Sequence, residues 1–256
     1  MKASLQTEIE KVVGKIIAVE VLGEQGCTSE VCKLETAQGS FLLKRSFEKR
    51  YRMWLAEEAK VLKKLMQEKG IPVPQYYGFI EESDSSSLIM SFENGMTLTA
   101  ALTAAESIAE KKVLIKSFGE FLHKFHEQEP LRMLDEESDW LERQFGKAQS
   151  YVDNGETEGS QELLNHLKAH KPFSVKQTMI HGDCTTDNVF VQDGEVRLFI
   201  DVAGMTIGDL RYDISLAISD FIDSPELLDA FYDGYTRYRV SPEEIQYFDG
   251  GLYEFF

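Results

Sequence analysis

The sequence predicts a two-lobed α+β fold: an antiparallel five-stranded sheet with one helix laid on it over residues 1–93, then a mostly helical lobe over 94–256. Three observations carry this expectation. Short β-branched and apolar runs separated by turn residues fill the first ninety positions, and the periodicity becomes helical after Asn94-Gly95. The charge divides at the same place. Residues 1–94 hold 13 basic and 14 acidic side chains, whereas residues 95–256 hold 14 and 30.

IIAVEVL (16–22), EVCKLET (30–36) and SFLLKRS (40–46) are divided by EQGCTS and AQGS, both turn-like, and so read as three antiparallel strands. From Tyr51 to Lys69, Trp54, Leu55, Ala59, Leu62 and Leu65 keep helical spacing, and Gly70, Pro72 and Pro74 stop the helix. YYGFI (76–80) and SLIMSF (87–92), joined by a polar loop, complete the sheet. Long helices follow over roughly 106–128, 135–152 and 160–170. NVFV and VRLFI flank Asp193-Gly194 as a hairpin. Helices return from Ile214 and over 224–238, and Ser241-Pro242-Glu243-Glu244 reads as the cap and acidic first turn of a last helix running to the C-terminus.

Composition narrows the function. The formal charge of −17 over 256 residues argues against nucleic acid and anionic membrane as partners, since such binders need a basic surface. No apolar run approaches the roughly 18 residues of a membrane span and the start lacks an apolar signal-peptide centre, so a cytoplasmic protein is expected. Cys27, Cys32 and Cys184 suggest neither a disulfide framework nor a zinc site. The acidity of the second lobe fits a solvated surface or a cleft that attracts cations.

The strongest chemical signal is HGDCTTDN, His181 to Asn188, with Asp201 thirteen residues farther on. These residue types suit phosphoryl transfer. An aspartate in a rigid loop can accept the proton of an attacking hydroxyl, while an amide oxygen and a second carboxylate hold the Mg²⁺ that bridges nucleotide phosphates. The hairpin between Asn188 and Asp201 would fold the two ligands back toward one point.

With IDVA and GDLRYD (Gly208 to Asp213) added, the chain resembles the aminoglycoside phosphotransferase and choline kinase superfamily, whose fold is similar to that of protein kinases. The resemblance extends over nearly the whole chain and implies ATP or GTP as co-substrate. It makes Asp183 the catalytic base and Asn188 and Asp201 the magnesium ligands, with His181 and Asp213 holding the loop together. It makes Lys44 the lysine that contacts the α- and β-phosphates, oriented by Glu58 or by its neighbour Glu57. Gly26, Thr28 and Ser29 fall in the loop expected to cover the phosphates. SLIMSFENG is similar to the family's hinge, placing Met90 behind the base and the backbones of Ser91 and Glu93 along its edge.

The C-terminus is most similar to the aminoglycoside 3′-phosphotransferases, which use a tail glutamate and the terminal carboxylate to bind substrate amines; Glu254 and the Phe256 carboxylate match them. A rival reading has Phe255 and Phe256 simply docking on the core. Asp223, with Asp220, Asp153 and Glu156, lies in segments that supply further substrate acids. Departures are visible too: Thr186 stands in place of an aspartate with Asp187 shifted by one, Gly204 in place of an arginine, and Tyr253 in place of an acid.

The sequence therefore predicts a small-molecule kinase acting on a hydroxyl of a cationic, aminosugar-like acceptor. The alternatives are a kinase of an amino alcohol, sugar or homoserine-like compound, and a nucleotide-binding pseudokinase, against which stands the presence of the base, both ligands and the lysine. Cys184 is expected to be inert beside carboxylates. His123 and His126, two ligands only, read as structural residues of a helix.

Overall fold

The structure is a computed structural model, and it describes residues 2–23, 25–26, 28–68, 70–134 and 139–256. Glu24 and Cys27 of the expected phosphate loop, Lys69 and the start of the helix expected at 135 lie outside the described residues. The chain divides into two units, residues 1–94 with 198–203, and residues 95–197 with 204–256.

The first unit opens with α1 (Ala3–Val13), which the sequence reading did not anticipate. Only three apolar side chains carry it, Leu5, Ile9 and Val13, at four-residue spacing, and all three are buried. They pack on Leu34, Phe41, Leu43 and Ile89 of the sheet. That sheet comprises β1 (Ile16–Val21), β2 (Glu30–Thr36), β3 (Gly39–Ser46), β4 (Tyr76–Glu81) and β5 (Ser86–Ser91), antiparallel throughout and ordered β1-β2-β3-β5-β4. Helix α2 (Lys49–Leu65) lies between β3 and β4 in the chain and buries Leu55, Glu58, Ala59, Leu62 and Leu65. The Phe199 N–H donates to the Pro72 carbonyl at 2.8 Å, tying residues 198–203 to this unit.

The second unit begins with the short strand β6 (Met96–Thr97) and α3 (Leu98–Ala104). Then come α4 (Ile108–Glu127), α5 (Trp140–Asn154), α6 (Gln161–Ala169), β7 (Thr178–Ile180), β8 (Val189–Gln192), β9 (Glu195–Phe199) and β10 (Thr206–Gly208). Helices α7 (Leu210–Ile218), α8 (Pro225–Gly234) and α9 (Pro242–Phe248) complete it. Asp193 and Gly194 both take positive φ, 51° and 80°, as the two-residue turn between β8 and β9 requires. A Cβ on Gly119 of α4 would lie 2.2 Å from the Phe231 carbonyl, and one on Gly234 of α8 would lie 2.3 Å from the Lys116 carbonyl, so the glycines let these helices touch backbone to backbone. Among the described residues no helix is long and apolar enough to cross a membrane.

The last helix is shorter than the sequence suggested. Ser241 and Glu244 form the full reciprocal cap, but α9 stops at Phe248. Gly250 and Gly251 break it, and a separate turn, Leu252–Phe255, ends the chain. That turn buries Leu252 and Phe255 completely against Trp140, Phe145, Leu164 and Phe248. Arg211, buried on α7, chelates Asp209 and also reaches Glu244 at 2.9 Å, joining the GDLRYD segment to the cap of α9.

Candidate active site

Along β3 side chains alternate, so Phe41 and Leu43 face the core with α1 and Lys44 leaves the opposite face. Its ammonium sits 2.9 Å from Glu58 Oε2 and also bonds Asp201 Oδ1. Asp201 belongs to residues 198–203, so this cluster lies wholly within the first unit. Burial pushes against the Lys44 charge, but Asp201 and then Glu58 outweigh it and hold the ammonium above the usual lysine range. Burial pushes the Glu58 carboxyl up against the pull of Lys44, and Asp201, 45% exposed, is the open end of the cluster. Its φ of 55° is rare for a residue with a side chain; such backbone strain concentrates at functional positions.

Of the two candidate glutamates, Glu58 is buried on the stripe of α2 and Glu57 pairs instead with exposed Lys60. Glu58→Ala is expected to lower the unfolding midpoint by several degrees, because it strips a partner from a buried cation, at about 1–3 kcal/mol. Glu57→Ala should leave the midpoint unchanged within error. A calorimetric scan of both variants checks this, and equal midpoints would contradict the assignment.

In the loop between β1 and β2, the Gln25 amide donates to the Leu22 and Val31 carbonyls at 2.7 and 2.9 Å and accepts from the Val31 N–H, closing the loop's base. Gly26 has room for close approach, the nearest atom to a Cβ there being the Ser29 carbonyl oxygen at 3.6 Å. Ser29 is a correction: its hydroxyl is buried 2.6 Å from that of Ser46, which also donates to the Thr28 carbonyl, so it braces the loop from inside instead of facing phosphate. Met90 is buried on β5. The Ser91 N–H donates to the Gln75 carbonyl at 2.8 Å and so is not offered to a base; its hydroxyl donates to Glu93 Oε1.

In the second unit the HGDCTTDN loop runs from the end of β7 to β8. Asp213 of α7 holds it by the backbone: Oδ2 accepts from the His181 N–H at 2.6 Å and Oδ1 from the Gly182 N–H at 2.9 Å. Gly182 has φ 83°, and a Cβ there would lie 2.4 Å from the Gly204 carbonyl oxygen. A Cβ on Gly204 would in turn lie 3.1 Å from the His181 carbonyl oxygen, so the two glycine-bearing segments approach each other backbone to backbone.

Beneath Asp213, His126 bonds its carboxylate through Nε2 at 3.2 Å and Tyr235 Oη through Nδ1 at 2.8 Å. A carboxylate only accepts, so Nε2 carries the proton and the phenol donates to Nδ1. Burial lowers the His126 pKa against the pull of Asp213, keeping the ring neutral. A histidine depressed in the fold takes up its proton only on unfolding, so stability is lost as the pH falls through about 6.5. Unfolding midpoints from pH 7.5 to 5.5 should show this slope in wild type and a flatter one in His126→Gln; parallel slopes would refute it.

Asp183 is bracketed. Asn188 Nδ2 donates to its Oδ2 and to its backbone carbonyl, both at 2.8 Å, and the Tyr253 hydroxyl donates to its Oδ1 at 2.8 Å. The Asp183 N–H meets His181 Nδ1 at 3.3 Å. Cys184 is fully buried, and burial with Asp213 and Asp183 pushes its thiol well up, so it is not a nucleophile. Thr186 bonds Thr99 at 2.7 Å and donates to Asp220. These residues line a cleft of about 290 Å³ that Lys111 and Asp187 also border.

Burial, then the charges of Glu254 and Asp220, raises the Asp249 carboxyl near the tail. Glu254 is exposed and its carbonyl accepts from Thr157 Oγ1 at 3.0 Å; Phe255 is buried and Phe256 packs edge-on to Tyr151. Asp223 is exposed on the turn before α8, and Asp153 bonds Gln149. Sequence reasoning missed the inward turn of the Tyr253 hydroxyl toward Asp183. Asn188 and Asp201 are hard oxygen donors suited to Mg²⁺, and the Asn188 nitrogen, turned to Asp183, leaves its oxygen facing away. Among the described residues no three His, Cys, Asp or Glu side chains converge as a metal cage. Magnesium needs none, since it takes one or two carboxylates plus substrate phosphates.

Comparison with known proteins agrees with this chemistry. A model of the phosphotransferase enzyme family APH matches residues 22–246. An aminoglycoside 3′-phosphotransferase of Enterococcus faecalis is 27% identical over 198 residues, covering 72% of this chain and 73% of its own. A homoserine kinase of Neisseria meningitidis serogroup B is 33% identical over 93 residues, 34% of this chain and 29% of its own. The crystal structure of an aminoglycoside 3′-phosphotransferase of type VIII superposes with a TM-score of 0.78 at 22% identity, each chain covered in full.

Proposed function

The chain belongs to the phosphotransferase enzyme family APH, and we propose that it transfers the γ-phosphoryl group of ATP to a hydroxyl of a cationic, aminosugar-like small molecule. The observation that carries this is Asp183, an aspartate gripped at both carboxylate oxygens in a loop pinned by a buried carboxylate. In this reading Asp183 orients the acceptor hydroxyl and takes its proton. Lys44, held by Glu58, steadies the α- and β-phosphates, and Gly26 and Thr28 approach them from the β1–β2 loop. Met90 and the Glu93 backbone line the base. Asn188 and Asp201 would hold Mg²⁺, which neutralises charge on the phosphates. Because the transition state is loose, placement and charge balance supply most of the acceleration.

The acceptor's amines are assigned to Glu254, Asp249 and Asp220, with Asp223 at the periphery. Their joint negative field favours an amine-bearing acceptor over an acidic one. The likeness to a homoserine kinase supports a second reading, a smaller hydroxylated metabolite. ADP release from Mg·ATP over a panel of aminoglycosides and neutral polyols, amino alcohols and homoserine separates them, with GTP run in parallel. Stimulation by aminoglycosides that fades with added salt is expected. Stimulation by neutral compounds alone would overturn the aminosugar acceptor and keep the kinase.

A further inference from the structure

The Tyr253 hydroxyl donates to Asp183 Oδ1 at 2.8 Å, seventy residues along the chain, from a turn at the C-terminus. This is not a loose tail brushing the loop. Leu252 and Phe255, on either side, are fully buried in the second unit's core. The Glu254 carbonyl is held by Thr157, and the Tyr253 ring stands 6.4 Å from that of buried Tyr212. Gly159 accommodates Phe255, since a Cβ there would lie 2.5 Å from the ring. The phenol is therefore delivered to the carboxylate by a built element.

We infer that Tyr253 is a positioning residue for phosphoryl transfer, fixing the Asp183 carboxylate from one side as Asn188 fixes it from the other. The inference rests on Asp183 being the base. A carboxylate has about four lone-pair directions, so two donors on opposite oxygens set its plane and rotation while it keeps its capacity to accept a proton. With only one donor the group turns about its last bond, and small misplacements at a reacting centre cost rate more than affinity. Burial and the neighbouring Asp183 charge hold the phenol proton on well above the ordinary tyrosine range, so the group acts as a donor.

The consequence is that turnover depends on the docking of the turn Leu252–Phe255. Tyr253→Phe removes one oxygen and keeps the ring. ADP release from Mg·ATP is measured with kanamycin A as acceptor and with water alone. With either acceptor, kcat should fall about tenfold while the KM for ATP, the KM for kanamycin A and the unfolding midpoint stay close to wild type. Unchanged kcat overturns the inference. So does a higher kanamycin KM at constant kcat, which would make Tyr253 a binding contact, or a lower KM, which would make it a plug that the acceptor displaces. Gly159→Ala, which displaces Phe255, should lower kcat by a similar factor and add little in the Tyr253→Phe background; fully multiplying losses would show that the tail does not act through the phenol. Asp183→Asn separates the two levels: if it turns over like wild type, the kinase reading fails, whereas if it is silent and Tyr253→Phe is unimpaired, only the inference on Tyr253 fails.

Discussion

Asp183→Asn is expected to lower kcat by roughly 10²–10⁴-fold while the dissociation constant for Mg·ATP changes by less than about threefold. The amide keeps the size of the carboxylate but only one acceptor: with its oxygen toward Tyr253, its NH2 faces the Asn188 amide, a donor, while the backbone bonds of the loop run through Asp213 and are untouched. What disappears is the capacity to accept the proton of the acceptor hydroxyl. The loss should therefore appear in turnover and not in nucleotide binding, which titration with a fluorescent ATP analogue measures separately. Asp201→Ala should behave in the opposite way, weakening Mg·ATP binding itself, because that side chain is the half-exposed carboxylate beside Lys44. Wild-type turnover in Asp183→Asn would remove the assignment of the base.

Asp213→Ala should have the largest effect on stability, about 3–5 kcal/mol, from a summed loss of several buried bonds. It removes the acceptor that the His181 and Gly182 N–H groups and the Nε2–H of His126 share in the fold. At about 2–4 °C per kcal/mol for a chain of this size, the midpoint should fall by roughly 10 °C. Turnover measured well below the new midpoint should remain depressed, because the Gly182 backbone that precedes Asp183 has lost its anchor. Recovery of full activity at low temperature would show that Asp213 serves stability alone.

The chemistry was legible because it is local. HGDCTTDN lies within eight residues, and Lys44 can be placed from strand alternation around Phe41 and Leu43. The resemblance left Glu58 and Glu57 both open, and the fold decides: Leu55, Ala59, Leu62 and Leu65 define the buried stripe of α2, and Glu58 falls on it while Glu57 does not. Helix α1 escaped because only Leu5, Ile9 and Val13 of its eleven residues are buried, a thin stripe with no capping side chain to announce it. The inward turn of Ser29 depends on Ser46, seventeen residues away on another strand. The Tyr253–Asp183 bond was least accessible of all, since it exists only once Gly250 and Gly251 have ended α9 and Phe255 has docked.

The six residues 198–203 carry a lesson for anyone who would take the protein apart. A fragment ending at Asn94 would contain the whole five-stranded sheet and both its helices, yet it would lack Asp201, the Val202 backbone that bonds Glu58, and the Phe199 N–H that caps Pro72. Lys44 and Glu58 would then be left to neutralise each other in an opened core. The natural cut in space is thus not a cut in sequence, and an independently folding first unit would need those six residues returned to it by a linker or a rearranged chain order.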